Sequence, residues 1–252
     1  MSAPTKRCKP PISGTPDMLD IRNLQTHYGR SHIIQGIDLS VAAGEVFGIF
    51  GRNGVGKTTL LKTIAGWVKP TGGEIAFNGA RIDGLQPHRI ARQGVGFVPE
   101  DRRIFPGLTV EENLTLGFLQ VPGRTGAANR SALARVYERF PRLAERSRQL
   151  GTTLSGGEQQ MLAMARVMVG EPKLLLIDEP SEGLAPMIVA DLYAIIAGLR
   201  DAGCTILLVE QNLGEALKFC DRFIAMERGC VVLSGKADSQ SDRDALIESI
   251  SV

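Results

Sequence analysis

Three glycines, a lysine and two threonines crowd into residues 51–59, GRNGVGKTT. Glycines at 51, 54 and 56 let backbone N–H groups turn inward around an anion, where a side chain would obstruct the approach. Lys57 then supplies a point charge suited to the β- and γ-phosphates of a nucleoside triphosphate, and the Thr58 hydroxyl can ligate Mg²⁺. Arg52, Asn53, Val55 and Thr59 fill out the same loop, which has the spacing G-x-x-x-x-G-K-[ST]. The apolar run VFGIF precedes it and KTTLLKTIAG follows, so a phosphate would also meet the partial positive charge of a helix N-terminus. A glycine-rich turn that merely caps a helix is the competing reading, and the strand and helix flanks count against it.

A second group of polar residues ends an apolar run. LLLIDEP, residues 174–180, reads as a buried strand from which Asp178 and Glu179 emerge at the carboxyl end, where open α/β sheets bind their ligands. Asp178 is expected to hold Mg²⁺ through water or Thr58, and Glu179 to polarise an attacking water. Without the phosphate loop, two acids at a strand end would pass for a solvated turn. Between the two motifs lies LSGGEQQ, residues 154–160. Ser155 and Glu158 have capping-box spacing. Gly156 and Gly157 destabilise a first helical turn unless something must come close, and an anion is the natural candidate. Finally TILLVEQN, residues 205–212, sets Glu210, Gln211 and Asn212 at the mouth of a run that reads as buried.

Short apolar runs alternate with longer helical patterns, as a mainly parallel sheet with crossover helices requires. Strands are predicted over 19–26, 37–42, 46–50, 74–77, 95–98, 174–177, 205–209, 222–226 and 230–233. Helices are predicted over 57–66, 87–93, 110–117, 131–140, 156–169, 186–199 and 214–219. Turns at Ala43-Gly44 and Asn78-Gly79 make the early strands hairpin-like, so an antiparallel β-layer is expected over part of the core. Residues 107–151 carry helical pattern without an interposed strand, which predicts an inserted helical subdomain of about 107–170. The fold class expected is α/β.

The chain has 252 residues, 43% hydrophobic, enough for one large α/β domain. Its formal charge of +2 gives no field that would favour nucleic acid as a partner. Cys8, Cys204, Cys220 and Cys230 show no ligand spacing and suit reduced thiols. Residues 1–17 carry four prolines and no apolar h-region, and read as a disordered extension rather than a signal or an anchor. No run approaches the roughly 20 apolar residues of a spanning helix, so a membrane role would come through a partner. Arg130, Arg135, Arg139, Arg142, Arg146 and Arg148 make the helical insertion basic, which is either a solvated face or a surface near anionic headgroups or a docking partner.

GRNGVGKTT, LSGGE and LLLIDEP in that constellation, with Tyr28 in HYG ahead of them, resemble the ATP-binding subunits of ABC transporters from about residue 18 to 235. More narrowly, VPEDRRIFPGLTVEENL, LSGGEQQMLAMAR, DEPSEGLAP and LLVEQN look like the shorter ATPase subunit of branched-chain amino acid importers. The resemblance implies a P-loop ATPase domain over residues 18–252, hydrolysing ATP with Mg²⁺. It implies a head-to-tail dimer with a second ATP-binding subunit, identical or different, each ATP lying between the phosphate loop of one chain and the LSGGE helix of the other. Tyr28 would stack on adenine, Gly54 to Thr59 would hold the phosphates, and Ser155, Gly156, Gly157 and Glu158 would close on the partner's nucleotide. Two transmembrane permease subunits would dock near the helical subdomain, with a solute-binding protein engaged indirectly. The place implied is peripheral, at the cytoplasmic face of the plasma membrane.

Three departures from the general pattern fall at the expected site. Glu100 stands where most ABC ATPases have glutamine after the VP of GFVP, which adds a negative charge near Mg²⁺ and makes it a candidate metal and catalytic-site residue. Ala185 replaces an aspartate, and Gln211 replaces a switch histidine, where it would sense the γ-phosphate and orient water. These replacements would suit a regulatory half with weak or no hydrolysis, but Lys57, Asp178 and Glu179 are in place. A soluble ATPase acting on DNA or ribosomes would bring a second ATPase half or long coiled-coil insertions, which this sequence lacks. The expected function is the ATP-hydrolysing subunit of an importer for branched-chain amino acids or a related small polar solute, a urea or amide importer being the nearest alternative.

Overall fold

VFGIF, LLLID and TILLV are the runs without polar alternation, and every position in all three is buried. Strands buried on both faces need a layer on each side, and these three form the centre of a two-sided sheet. The computed structural model describes residues 17–251; apart from Asp17, which opens the first strand, the expected N-terminal extension lies outside the described residues. In chain order the elements are β1 (Asp17–Tyr28), β2 (Ser31–Ala42), β3 (Val46–Phe50), α1 (Lys57–Ile64), β4 (Gly72–Phe77), β5 (Ala80–Arg81), α2 (Pro87–Arg92), β6 (Val95–Val98), α3 (Val110–Leu116), α4 (Gly126–Arg139), α5 (Pro141–Glu145), α6 (Gly156–Met168), β7 (Leu174–Asp178), α7 (Pro186–Asp201), β8 (Thr205–Val209), α8 (Leu213–Ala216), β9 (Arg222–Glu227), β10 (Cys230–Lys236) and α9 (Gln240–Ser251).

The six-stranded sheet runs β10-β9-β3-β8-β7-β6 and is parallel except for the β9–β10 hairpin at its edge. Its register pairs Ile49 with Val209 and Val209 with Asp178. The carboxyl ends of β3, β8 and β7 therefore lie side by side, and the loops that follow them converge. Alternate side chains of these strands enter two separate cores. Leu175, Ile177, Ile206 and Leu208 pack with α6 and α7 on one side, while Leu174, Leu176, Leu207 and Val209 pack with α1 and the second sheet on the other. Burying each such side chain contributes about 1.5–3 kcal/mol before chain entropy is counted.

The second sheet, order β2-β1-β4-β5, is antiparallel and supplies the expected β-layer. Two expectations about it need correction. Ala43-Gly44 is not a hairpin turn: it carries the chain from β2 in one sheet to β3 in the other. The first hairpin is closed instead by Gly29-Arg30, where Tyr28 pairs with Ser31, so β2 begins six residues before the predicted strand. Between β6 and β7 the chain is helical without a strand, and Val110 and Leu114 of α3 join Leu162 of α6 in the larger core. α4 begins at Gly126 rather than 131, because the Thr125 hydroxyl accepts the Ala128 N–H and starts the helix early. Helix α9 has no counterpart among the predicted elements. Among the described residues no helix is long and apolar enough to cross a membrane.

Candidate nucleotide site

The loop after β3 has the backbone that its glycines permit. Gly51 has φ +148°, and a Cβ there would overlap the Met226 carbonyl; Gly56, the residue before α1, has φ +111° with Ile33 and Ile34 atoms 3.1–3.4 Å from where a Cβ would sit. Side chains are excluded at both points, and α1 begins at Lys57 with its first N–H groups free to face an anion. Lys57 itself is buried. Its Nζ donates to the carbonyls of Gly51 at 2.8 Å and Arg52 at 3.1 Å, and lies 3.4 Å from Glu179 Oε1.

Thr58 Oγ1 donates to Asp178 Oδ1 at 3.1 Å, so the hydroxyl and the carboxylate expected to share a cation already touch, from the start of α1 to the end of β7. The other oxygen, Asp178 Oδ2, is buried with no hydrogen-bond partner. Burial raises the Asp178 carboxyl to about 6, helped by Glu179 and Glu100. An unpartnered carboxylate oxygen beside a hydroxyl is the hard oxygen set that Mg²⁺ accepts. Among the described residues no cluster of three or more His, Cys, Asp or Glu side chains forms a protein cage for a metal. An ion here would complete its shell with water and phosphate, as Mg²⁺ does.

Glu179 follows Asp178 with φ +45°, an uncommon conformation for a side-chain-bearing residue. Its N–H donates to the Val209 carbonyl at 2.9 Å, which fixes it to the end of β8. Its Oε2 accepts a short hydrogen bond from the Gln211 side-chain amide. Lys57, Glu179 and Gln211 thus form one chain of polar contacts across the ends of β3, β7 and β8.

These groups border a cleft of about 320 Å³ whose walls include Asn53, Gly54, Gly56, Lys57, Thr58, Thr59, Glu100, Glu179 and Gln211. Two further walls, Ile33 and Glu182, were not foreseen. Ile33 carries no chemical signal in sequence, whereas Glu182 sits inside DEPSEGLAP and could have been found there. Glu100 is exposed, and partial burial followed by Glu182 and Glu179 pushes its carboxyl above the usual range. Three carboxylates and one lysine line this mouth, so a counter-cation would favour entry of a polyphosphate.

Tyr28 is half-exposed at the end of β1 and is not among the walls. Nor are Ser155, Gly156, Gly157 and Glu158. They open α6 with both halves of a capping box: Glu158 N–H donates to Ser155 Oγ, and Ser155 N–H to Glu158 Oε2 at 2.9 Å. Ser155 and Gly156 are exposed. Ala185 precedes α7 without any side-chain cap, as an aspartate there could have provided.

The sequence pattern of the ABC transporter family matches residues 34–182, more than half of the chain. The chain belongs to the ABC transporter family. It is 43% identical over 216 residues to the high-affinity branched-chain amino acid transport ATP-binding protein BraG of Pseudomonas aeruginosa, covering 86% of this chain and 91% of that one. It is also 33% identical over 219 residues to the lipopolysaccharide export system ATP-binding protein LptB of Haemophilus influenzae, covering 86% and 90%. Among solved structures, the dimeric bacterial ABC transporter cassette MJ0796 aligns with a TM-score of 0.80 at 25% identity, over 88% of this chain and all of that one. The protein is accordingly an ABC ATP-binding subunit, and an ATPase.

Proposed function

We propose that this ABC ATPase drives import of branched-chain amino acids or a related small polar solute. The observation that carries a hydrolytic role is the contact chain Lys57–Glu179–Gln211, which an inactive regulatory half would have no need to keep. The 43% identity to BraG, against 33% to the exporter subunit LptB, favours import of that solute class. Two such chains, or this chain and a second ATP-binding subunit, would dimerise so that the exposed α6 start of one covers the phosphate loop of the other. Ser155 is not among the walls of the phosphate-loop cleft of its own chain, which supports that division. The pair would sit at the cytoplasmic membrane face under two permease subunits, with a solute-binding protein on the far side.

In this reading Tyr28 stacks on adenine and residues 54–59 hold the phosphates. Thr58 and Asp178 would hold Mg²⁺, with Glu100 lining the same cleft; the ion would offset the negative charge of the phosphates. Entry of ATP gives the Lys57 ammonium a phosphate in place of its present partners. Glu179 Oε1, now 3.4 Å from that ammonium, is thereby freed to accept the proton of an attacking water. Gln211 has no titration near neutral pH, so it can orient Glu179 and the water but relays no proton.

The test is ATP turnover of Gln211→Ala, expected to fall by roughly ten- to a hundredfold with little change in ATP affinity, as loss of one orienting contact of about 1.4–3 kcal/mol requires. Wild-type turnover would reject the role of Gln211. For the solute, leucine-loaded binding protein should stimulate ATPase of the chain reconstituted with its permease subunits in liposomes; no stimulation by any branched-chain amino acid would reject that specificity.

A further inference from the structure

Glu210 is almost completely buried, 2% exposed, immediately after β8 and beside the hydrolytic pair. Gln211 is among the walls of the cleft and Glu210 is not. One oxygen of Glu210, Oε1, accepts the Ser181 N–H at 3.0 Å; the other, Oε2, accepts the Gln211 N–H at 3.2 Å. Ser181 lies two residues beyond Glu179, and Gln211 is the residue whose amide grips Glu179. A single carboxylate therefore ties the backbone after β7 to the backbone after β8, on either side of the Glu179–Gln211 contact. The phenol of Tyr193, buried on α7, lies within its field.

We infer that Glu210 is a positioning residue for hydrolysis: it sets the separation of Glu179 and Gln211 by holding one N–H on each of the two loops that carry them. This rests on the roles proposed above for Glu179 and Gln211. Burying a carboxylate is expensive unless it is well hydrogen-bonded, and a neutral residue of this size would fill the same space. What a carboxylate alone offers at this volume is two acceptor oxygens with no donor. Glutamine keeps the volume but turns one end into an N–H₂ that would face a backbone N–H, donor against donor. Aspartate keeps both acceptors on a shorter arm.

The two substitutions therefore separate positioning from packing. If Glu210 positions the pair, Glu210→Asp retains more turnover than Glu210→Gln; if it only fills space, the isosteric glutamine retains more. In the purified full chain, Glu210→Gln should lower kcat at least tenfold while ATP affinity, read by calorimetry, stays within twofold. In the double variant with Gln211→Ala, turnover should be no more than twofold below Gln211→Ala alone, because Glu210 acts through that residue. A wild-type kcat in Glu210→Gln, a loss that appears in ATP affinity instead, a multiplying loss in the double variant, or glutamine outperforming aspartate each overturns the inference. Should Glu210→Gln not fold, Glu210→Asp with its own Gln211→Ala double variant decides by the same coupling criterion. A Gln211→Ala variant that turns over at the wild-type rate removes the underlying reading, whereas a slow Gln211→Ala with a wild-type Glu210→Gln removes only the role of Glu210.

Discussion

Helices α3 and α6 begin with the same local device and differ in what their next N–H groups meet. At Thr109 the hydroxyl accepts the Glu112 N–H at 3.2 Å and Glu112 Oε2 accepts the Thr109 N–H at 2.8 Å; Ser155 and Glu158 repeat both bonds. At α3, the next two N–H groups are already taken, Val110 by the Gln149 carbonyl at 2.9 Å and Glu111 by the Ser147 carbonyl at 3.0 Å. At α6, the next two residues are Gly156 and Gly157, and among the described residues neither N–H meets an acceptor. A second acid, Glu111, also closes α3 to anions, while the first turn of α6 has Glu158 alone, turned back onto Ser155 and paired with Arg146 at 3.0 Å. Identical capping chemistry thus makes one start a finished structural joint and leaves the other with bare amides, which the proposed dimer would offer to the partner's nucleotide as ligand.

The largest effects concern whether that ligand arrives. Glu179→Gln should lower turnover by about 10²- to 10⁴-fold, since the amide cannot take the proton of water. ATP should still bind, and the arrested dimer should protect the Gly156 and Gly157 amides from hydrogen exchange about tenfold while leaving the α3 start unchanged. Equal protection at both starts, or none at α6, would break the contrast. Adding Lys57→Ala to that variant should weaken ATP binding about a hundredfold, the equivalent of about 2.7 kcal/mol for a lost charge-assisted contact. The protection at α6 should vanish with it.

A smaller effect follows from pH. Asp178 is raised to about 6, so the folded chain holds a proton on it between its ordinary pKa and about 6, and stability falls as pH rises across that window. A metal must displace the same proton. Apparent Mg²⁺ affinity in the presence of ATP should therefore climb by up to about tenfold per unit as pH rises toward 6, then level off. Protection at Gly156 and Gly157 should follow the same curve, and an α6 signal that ignores pH below 6 would separate it from the metal.

How these features stood in the sequence differs for a physical reason. Both capping boxes, the phosphate loop and the three unbroken apolar strands are local patterns, and a window of ten residues contains all the information that makes them. Helix α9 was missed because QSDRDALIESIS has little apolar periodicity; it is held by docking, with Leu246 fully buried and the Ile250 carbonyl accepting from Arg52. Residues 31–36 were missed as strand because their pairing partner is β1, and Ala43-Gly44 was misread because a turn signal does not say which sheet the chain enters next. The buried role of Glu210 needed two loops 29 residues apart to meet. Part of the arginine run proved to be paired: Arg142 with Glu145 at i,i+3 spacing, and Arg135 with Glu171 and Arg146 with Glu158, two pairs that spacing alone could not say.

The finest test sets the two hydroxyls against each other. Thr109→Ala and Ser155→Ala each remove a hydroxyl that accepts the N–H at the third helical position, so each should cost about 1 kcal/mol, a fall in Tm of about 2–4 °C for a domain of this size. Stability alone should not distinguish them. Turnover should: in the dimer, Ser155 would meet the partner's nucleotide, and losing one neutral hydroxyl contact of about 0.7–1.4 kcal/mol should slow ATPase about three- to tenfold. Thr109, with its neighbouring N–H groups already bonded to Gln149 and Ser147, has nothing left to offer a ligand, so Thr109→Ala should hydrolyse ATP at the wild-type rate below its Tm. The measurement is ATPase rate at a fixed interval below each variant's own Tm, which removes the shared cost of the lost cap. If both variants slow equally, the α6 start acts only through stability, and its two glycines answer to packing rather than to a phosphate.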